Sequence, residues 1–342
     1  MRNMFYLSGL RGLALLLCGV ALSAQAAKNI SLGTLVPDGT SYHKSLLEMR
    51  DKWRKAPEGG VNLRIYAGGK LGGEGNMVSQ MKLGGLDAGL LTAVGLADIE
   101  PTVTGLQLMP MVFRSLDELE YVSKKLQPKL SKKLEEKGFV VLYWSDAGWV
   151  RFFSKEPAIL PDDFRRMKLF TWAGDPKVVD LWKAARFQPV PLQTSDIVPM
   201  LDTGMINAAP LPPIVALAGQ IYTRTPNMLD LKWVPLVGAL VIRKATWDTL
   251  PAATQQAMRE AAEEAGRQNK EHGRAEGERA IETMKTKGLK VQEVNAETEE
   301  IWRKTLEEWH PRIRGSLVPP DIFDEVFRLL EELRRTEANP KP

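Results

Sequence analysis

The chain has 342 residues, of which 44% are hydrophobic and 26% charged, the profile of a globular protein with room for two domains of about 100–200 residues. Its formal net charge is +4, and basic and acidic residues are interleaved along it, which argues against a nucleic-acid-binding surface. One cysteine and three scattered histidines are too few for a disulfide framework or a zinc site, so we expect no metal and no cofactor.

The first residues have the three-part layout of a secretory signal peptide. Arg2 and Arg11 precede or border an apolar run over residues 13–22, and Ala24-Gln25-Ala26 is a small-x-small cleavage site. The apolar run is shorter than the roughly 20 residues that a membrane-spanning helix needs. We therefore expect cleavage after Ala26 and an exported, periplasmic protein.

The next part of the chain alternates predicted strands and helices. In chain order these are a strand at 29–36, a helix from Thr40 or Ser41 to about Lys55, a strand at 61–66, a glycine-rich loop at 68–73, a helix at 76–82 and a strand at 86–92. This β-α-β-α-β order favours a mostly parallel sheet flanked by helices.

The second half repeats the theme. A charged helix at 115–137 leads to strands at 139–144 and 149–154, followed by strand 168–171, helix 176–185, strand 189–192, helix 196–202 and strands 229–231 and 236–242. A helix of some 36 residues then runs from Pro251 to about Lys287, about 50 Å long and longer than one lobe of this size. Two α/β lobes spanned by one long helix are predicted. A strand at 289–294, helices near 298–310 and 320–335 and a disordered tail at 339–342 complete the prediction.

No motif for catalysis stands out. Lys70 is followed by Leu71 where a phosphate-binding loop needs Ser or Thr, and no serine lies in a nucleophile-elbow pattern. His43, in the first turn of the first helix, is a candidate ligand contact, or a general base if Asp146 accompanied it.

Aromatic residues are concentrated in the middle of the chain. Because alternate strand residues share a face, Trp149 lies with Arg151, and Phe170 lies with Trp172. If those faces look into a cleft between the lobes, the cleft is aromatic. Tyr42 and Trp233 are further candidates for its lining.

Several ordered motifs resemble the solute-binding proteins of tripartite ATP-independent periplasmic (TRAP) transporters, the DctP family. They are KLGGE at 70–74, MKLGGLDAG at 81–89, PMVFRS at 110–115, Pro191 with DIVPMLDTGMINA at 196–208, and WDTLP at 247–251. Together they cover nearly the whole chain after residue 26.

The resemblance implies a two-lobe venus-flytrap protein of the type II-like α/β class that catalyses nothing. Such a protein closes on a small solute and docks on a permease of large and small membrane subunits, where an ion gradient drives transport. Lobe I is expected at 27–146 plus about 237–278, and lobe II at 147–236 plus about 279–338.

The chain departs from the family pattern at its carboxylate clamp. The family arginine aligns with Phe170, a second family arginine aligns with Val150, and a polar Glu-Asn pair aligns roughly with Pro210 and Leu211. Arg151 is one residue late and points to the opposite face of a regular strand. An apolar pocket penalises a bare carboxylate, so the departures predict an apolar or amphipathic solute. This pattern is similar to a hydrophobic-ligand branch of the family that is associated with a tetratricopeptide-repeat partner protein.

Three alternatives stay open at this point. One is an organic-acid binder in which Arg151, Lys168 or Arg186 has taken over the clamp. The others are a periplasmic enzyme on the same fold, using His43 and Asp146, and a chemosensory protein that signals through its closed form.

Overall fold

The computed structural model describes residues 27–173 and 176–338. They form two β-sheets flanked by helices, which confirms the predicted α/β two-lobe architecture. The predicted signal peptide at 1–26 and the predicted disordered tail at 339–342 lie outside the described residues. Within the described ranges, no helix combines the length and the apolar character that crossing a membrane requires.

The strands are, in chain order, β1 (Lys28–Thr34), β2 (Val61–Tyr66), β3 (Ala88–Thr92), β4 (Phe139–Trp149), β5 (Arg151–Ser154), β6 (Lys168–Trp172), β7 (Gln188–Leu192), β8 (Ala208–Leu211), β9 (Asn227–Leu229), β10 (Pro235–Arg243) and β11 (Lys290–Gln292). The α-helices are α1 (Ser41–Trp53), α2 (Glu74–Leu83), α3 (Ala93–Ala97), α4 (Leu116–Glu136), α5 (Pro161–Arg165), α6 (Pro176–Ala184), α7 (Ile197–Asp202), α8 (Pro213–Ala218), α9 (Lys244–Trp247), α10 (Ala252–Lys285), α11 (Ala296–Glu307), α12 (His310–Ser316) and α13 (Pro320–Ala338). Short 3-10 helices occupy Pro101–Leu106, Thr194–Asp196 and Ile221–Thr223.

The two sheets have the mixed topology of a protein whose chain passes between lobes. The first sheet has the order β2-β1-β3-β10-β4, with β1 parallel to β2 and β3, and β10 antiparallel to β3 and β4. The second has the order β11-β9-β5-β8-β6-β7, in which β6 is parallel to β7 and β8. The strands of each sheet fall within the residues expected for lobe I and lobe II to within a few positions; the lobe boundaries themselves stay a prediction.

Local sequence explains how these elements begin and end. Thr40 caps α1 by accepting a hydrogen bond from the backbone N–H of His43, and Ser115 caps α4 in the same way through Glu118. Gly84 ends α2 in the left-handed conformation, where a side chain would be strained.

β4 and β10 lie where the chain passes between the two sheets. β4 is a single strand of 11 residues, so the break predicted at 145–148 is wrong: Asp146 pairs with Val237 of β10 inside the first sheet. Val150 alone separates β4 from β5, the first strand of the second sheet. Backbone pairing with β10 explains why the polar run Ser145-Asp146 does not interrupt the strand.

The long helix α10 has 34 residues and packs against α1 and β4 of the first lobe and against α8 of the second. Its length and its position across both lobes agree with the prediction. Gly273 lets it approach α1, because a β-carbon there would overlap the phenol ring of Tyr42.

An aromatic cluster forms much of the second lobe's core. The ring centroids of Phe152 and Trp233 are 5.1 Å apart, and the indoles of Trp182 and Trp309 each lie within 6.0 Å of Trp233. The ring centroid of Trp302 lies 5.7 Å from those of both Phe152 and Trp233. These edge and tilted contacts, typical of buried aromatic residues, hold the wall of the cleft described next.

Candidate functional site

Three adjoining cavities lie between the two sheets, and Trp172 borders all three. Trp172 ends β6, and the loops that follow β6 and β7 face the first lobe across the cleft. We call them the aromatic, aliphatic and polar cavities, after the side chains that line them. Sharing one indole makes them parts of a single binding cleft.

The aromatic cavity, of about 90 Å³, lies against the aromatic cluster of the second lobe. Its walls include Phe170, Trp182, Trp233 and Trp309. The rings of Phe170 and Trp172 meet edge to face with centroids 5.0 Å apart, and Phe170 is only 1% exposed. A ligand group in this cavity contacts ring faces and edges, which favour apolar groups.

Three of the four positions that align with the family's polar clamp meet in this cavity, and the fourth, Leu211, is buried outside it. Phe170 on β6, Val150 between β4 and β5, and Pro210 on β8 all contribute to its wall. β5 pairs with β8, and β8 pairs with β6, so the second sheet holds the three positions side by side.

The aliphatic cavity, of about 130 Å³, lies between the first sheet and α8. Leu90, Ile214 and Val215 form part of its wall, and Tyr42 and Asp146 close its end beside the crossing strands. The Tyr42 hydroxyl donates a 2.7 Å hydrogen bond to the carbonyl of Asp146. Burial, with the charge of Asp146, raises the pKa of the Tyr42 phenol well above its ordinary value, so the phenol stays neutral.

A buried ion pair ties this end of the cleft to α10. Arg274 on α10 donates to both carboxylate oxygens of Asp146, at 3.1 and 2.8 Å, and lies 3.6 Å from Glu120 of α4. Asp146 is therefore fully engaged by its bidentate partner. It joins a crossing strand to the long helix and has no free proton-accepting role.

The polar cavity, of about 310 Å³, lies between the start of α2 and the loops of the second lobe. Glu74 lines it from the first lobe and accepts three hydrogen bonds: 2.7 Å from Thr92 N, 2.5 Å from Thr92 Oγ1 and 3.1 Å from Gly95 N. Burial raises the pKa of the Glu74 carboxyl, and these three donors limit the rise. Lys177, Gln193 and Thr194 line the cavity from the second lobe.

The structure brings together five of the nine residues that the sequence nominates. Tyr42 borders the aliphatic cavity, and Val150, Phe170, Trp172 and Trp233 border the aromatic cavity.

The other four nominated residues lie outside the three cavities. His43 faces the turn before α1: its Nδ1 accepts from Gly39 N at 3.0 Å, and its Nε2 lies 3.6 Å from Asp38. Trp149 and Leu211 are buried in core clusters.

Arg151 points away from the cleft, as strand alternation predicts. Its side chain is 4% exposed, and its Nε donates to Asp230 at 2.5 Å, with Glu278 of α10 at 4.0 Å. Lys168 and Arg186 are exposed and lie outside the three cavities. The structure therefore gives none of these three cations a place in the cleft.

Sequence reasoning missed the polar cavity. Lys177, Gln193 and Thr194 belong to loops and helix starts that follow β6 and β7, two parallel strands. Ligands in open α/β sheets bind beyond the carboxyl ends of such strands, and that rule was the available signal. Residues 27–173 and 176–338 contain no group of three or more His, Cys, Asp or Glu side chains arranged to hold a metal ion.

Comparison with known proteins finds one matching family model. Residues 32–315 match "Bacterial extracellular solute-binding protein, family 7", the DctP model. The 2,3-diketo-L-gulonate-binding periplasmic protein YiaO of Escherichia coli is 26% identical over 286 residues, which cover 81% of this chain and 86% of YiaO. The C4-dicarboxylate-binding periplasmic protein DctP of Rhodobacter capsulatus is 24% identical over 292 residues, covering 82% and 85% of the two chains.

Solved structures share the fold. The sugar-acid-binding protein of Advenella mimigardefordensis in complex with galactonate superposes with a TM-score of 0.83 at 17% identity, covering 90% of this chain and 99% of that one. A TRAP solute-binding protein of Chromohalobacter salexigens with bound D-glucuronate gives 0.79 at 20% identity, covering 88% and 99%. The ligands named for these relatives are acids, so the comparisons give no support to the expectation of an apolar solute.

Proposed function

Because the chain belongs to the DctP family of bacterial extracellular solute-binding proteins, family 7, we propose that it captures an apolar or amphipathic solute for a TRAP transporter. The family consists of binding proteins that deliver small solutes to membrane permease subunits; they are not enzymes. The catalytic alternative is thereby set aside, and His43 and Asp146 each have a different structural partner.

One observation carries the proposal on the solute. Of the four positions that align with the family's polar residues, Phe170, Val150 and Pro210 share the wall of the aromatic cavity, whereas Leu211 is buried in the core. An unpaired carboxylate in such a place loses its hydration without gaining a charged partner, which costs several kcal/mol. Apolar surface gains about 25 cal/mol for each Å² removed from water.

The charges around the cleft support the same proposal. Among the described residues, none that line the aromatic or aliphatic cavities is a Lys, Arg or His. The carboxylates of Glu74 and Asp146 at the edge of the aliphatic cavity are already engaged by Thr92, Gly95 and Arg274. An apolar group therefore meets no competing free charge there.

We further propose that the lobes close by hinge motion about β4 and β10, with boundaries near 27–146 plus 237–278 for lobe I and 147–236 plus 279–338 for lobe II. Helix α10 packs on both lobes, and the Asp146–Arg274 ion pair fixes it to one crossing strand. Hinges of this kind absorb their motion in a few strand or loop residues.

Two further proposals concern the export of the protein and its protein partner. The family is extracytoplasmic, and residues 1–26 are proposed as the cleaved export signal. A tetratricopeptide-repeat partner protein is proposed from the resemblance to the hydrophobic-ligand branch. A chemosensory role remains a prediction that permease genes beside this one would contradict.

A second candidate is an organic acid without an extended apolar part. The names of the relatives favour it, since YiaO is a 2,3-diketo-L-gulonate-binding protein and the Rhodobacter protein binds C4-dicarboxylates. It requires a charged partner for each carboxylate, and the aromatic and aliphatic cavities offer none among the described residues.

A chain-length series tests the proposal. The protein is refolded to remove carried-over ligand, and calorimetry measures its affinity for saturated monocarboxylates of increasing length, with succinate and galactonate as hydrophilic references. Each methylene that enters the cleft contributes about 0.8 kcal/mol, so affinity should rise about fourfold per carbon until the cleft is full. Tight binding of succinate or galactonate with no dependence on chain length would overturn the proposal.

Two matched apolar-to-serine variants locate the effect. Val150→Ser lies in the aromatic cavity and should weaken binding of the longest acids by about five- to tenfold, because two buried methyl groups are lost. Leu83→Ser removes a side chain that is 88% exposed and outside the cleft, and should leave the series unchanged. Equal effects of the two variants would place the bound chain outside the cleft.

A further inference from the structure

The polar cavity differs from the other two cavities because some of the polar side chains that line it make no hydrogen bond to the part of the protein that the structure describes. On the first lobe, the carboxylate of Glu74 already accepts three hydrogen bonds from Thr92 and Gly95. Asp98, on the same wall, also has an interaction of its own. The carboxylate of Glu74 is therefore engaged by the protein.

The available groups belong to the second lobe, and all three can donate a hydrogen bond, although the amide and the hydroxyl can also accept one. The Lys177 ammonium, the Gln193 amide and the Thr194 hydroxyl line the cavity, and no protein group in the described part of the chain is hydrogen-bonded or ion-paired with these side chains. A lysine ammonium has three donors and no acceptor. Such a set is complementary to a group that only accepts, and best to one that carries negative charge.

We propose that Lys177, Gln193 and Thr194 form a head-group subsite that binds the carboxylate of an amphipathic monocarboxylate, whose apolar body lies against Trp172 in the aromatic and aliphatic cavities. This inference rests on the proposed function and adds the chemical class of the solute. It places the acid in the polar cavity and not beside Phe170 in the aromatic cavity. An acid solute is thereby reconciled with a cleft that has lost its inner clamp.

The position of Trp172 determines which cavities one bound molecule can occupy. Its indole borders all three cavities, so a chain on its surface continues directly from the apolar cavities to the polar one. Lys177 is the single basic side chain among the described residues that line them. The charge of Glu74 opposite is held by backbone N–H groups at the start of α3, where the helix dipole favours an anion.

Gln193 also contacts the first lobe. A β-carbon at Gly73 would overlap the Gln193 amide, so the glycine that precedes α2 leaves room for this side chain across the cleft. The backbone of Gly73 has φ −73°, which any residue adopts, and a side chain there would only require the flexible end of Gln193 to move. The amide thus lies at the boundary of both lobes, beside the proposed carboxylate.

The test compares three probes with the same ten-carbon chain: decanoate, decan-1-ol and decylamine. Calorimetry at pH 7 and low salt gives their affinities for the full exported protein and for two variants. Lys177→Gln removes the proposed anchor, and Lys183→Gln removes an exposed lysine of the same helix that lies outside the cavities. Circular dichroism melting confirms that both variants fold.

Decanoate is expected to bind more tightly than decanol, and decylamine more weakly than either. Lys177→Gln should weaken decanoate about fivefold and leave decanol unchanged, as for a single partly exposed ion pair, while Lys183→Gln changes neither. Added salt should reduce the preference for decanoate in the unaltered protein and not in Lys177→Gln.

The outcomes separate this inference from the proposed function. If decanol binds as well as decanoate and Lys177→Gln has no effect, the head-group subsite is wrong and the apolar cleft stands. If decylamine binds best, Glu74 and Asp98 determine the charge of the head group and the inference is overturned. If succinate and galactonate bind and none of the ten-carbon probes does, the proposed function itself fails.

Discussion

The aromatic and polar cavities share Trp172 and yet differ in almost every other property. The aromatic cavity is walled by Phe170, Val150 and the indoles of the second lobe. The polar cavity is wider, and charged or amide side chains from both lobes line it. The contrast teaches that one fold can place an apolar wall and a polar wall side by side in the same cleft, both bordered by a single indole.

The energetic roles of the two cavities differ accordingly. Under the proposed function, burial in the aromatic cavity would supply affinity in proportion to the apolar area covered, with little demand on geometry. The polar cavity would supply direction, because a few placed donors would decide which end of a solute enters. Three substitutions, described in order of decreasing effect, test this division of roles between the aromatic and the polar cavity.

Among the three substitutions, Phe170→Arg should have the largest effect on stability and on ligand binding. Residue 170 is buried among Phe153, Leu201 and Leu211, so an arginine there carries a charge without a partner. We expect a loss of about 3–5 kcal/mol in the free energy of unfolding, measured by urea titration, and loss of binding of the ten-carbon probes.

Phe170→Leu is the matched control, since it keeps the site apolar and should cost about 1–2 kcal/mol. A Phe170→Arg protein as stable as Phe170→Leu that binds succinate would show that the aromatic cavity accepts a charged ligand. The contrast between the two cavities would then be wrong.

Trp172→Ala should have the next largest effect, because this one side chain borders all three cavities. Truncating a central aromatic contact typically costs 2 kcal/mol or more in binding, which is a loss of about 30-fold for decanoate by calorimetry. Trp172→Phe keeps a ring beside Phe170 and should lose much less. If the alanine variant binds as tightly as the unaltered protein, the three cavities do not act as one cleft.

Sequence patterns predicted the scaffold better than the site. The strands and α10 follow from hydrophobic periodicity and from the absence of proline over a long charged stretch, both local signals. Phe170 and Val150 could be assigned to the cleft because they align with the family's clamp residues, and because register along a strand determines the face on which a side chain lies. Arg151, with its partner Asp230, obeys the same rule on the opposite face.

The remaining site residues depend on tertiary contacts that no local pattern encodes. His43 satisfies its ring nitrogens within its own turn, through Gly39 and Asp38, instead of reaching the cleft. Lys177 lies at the start of α6 and Gln193 follows β7, and the parallel pairing of β6 and β7 brings them to one edge. The sequence shows each as an ordinary polar surface residue.

Glu74, where the polar and aliphatic cavities meet, gives the smallest and most specific effect. Burial, with some repulsion from Asp98, raises the pKa of its carboxyl above the ordinary 4.5, against the hydrogen bonds from Thr92 and Gly95. The folded protein then keeps a proton that the unfolded chain has already released. The contribution of Glu74 to the free energy of unfolding should therefore fall as the pH rises from about 4.5 through the folded-state pKa, by about 1.4 kcal/mol for each unit of pKa difference.

Glu74→Gln removes the titrating group, so the free energy of unfolding of this variant should lack this downward slope. Any loss of stability from the altered hydrogen bonds should be the same at every pH. Glu136→Gln, at an exposed carboxyl near the end of α4, is the control and should keep the slope. Urea unfolding at intervals between pH 4 and 7 measures all three proteins. An unchanged slope in Glu74→Gln would show that its carboxyl is not held at a cost in the folded state. The hydrogen bonds from Thr92 and Gly95 would then offset the whole desolvation of the buried carboxylate, and the proposed head group would face an ionised Glu74 at neutral pH.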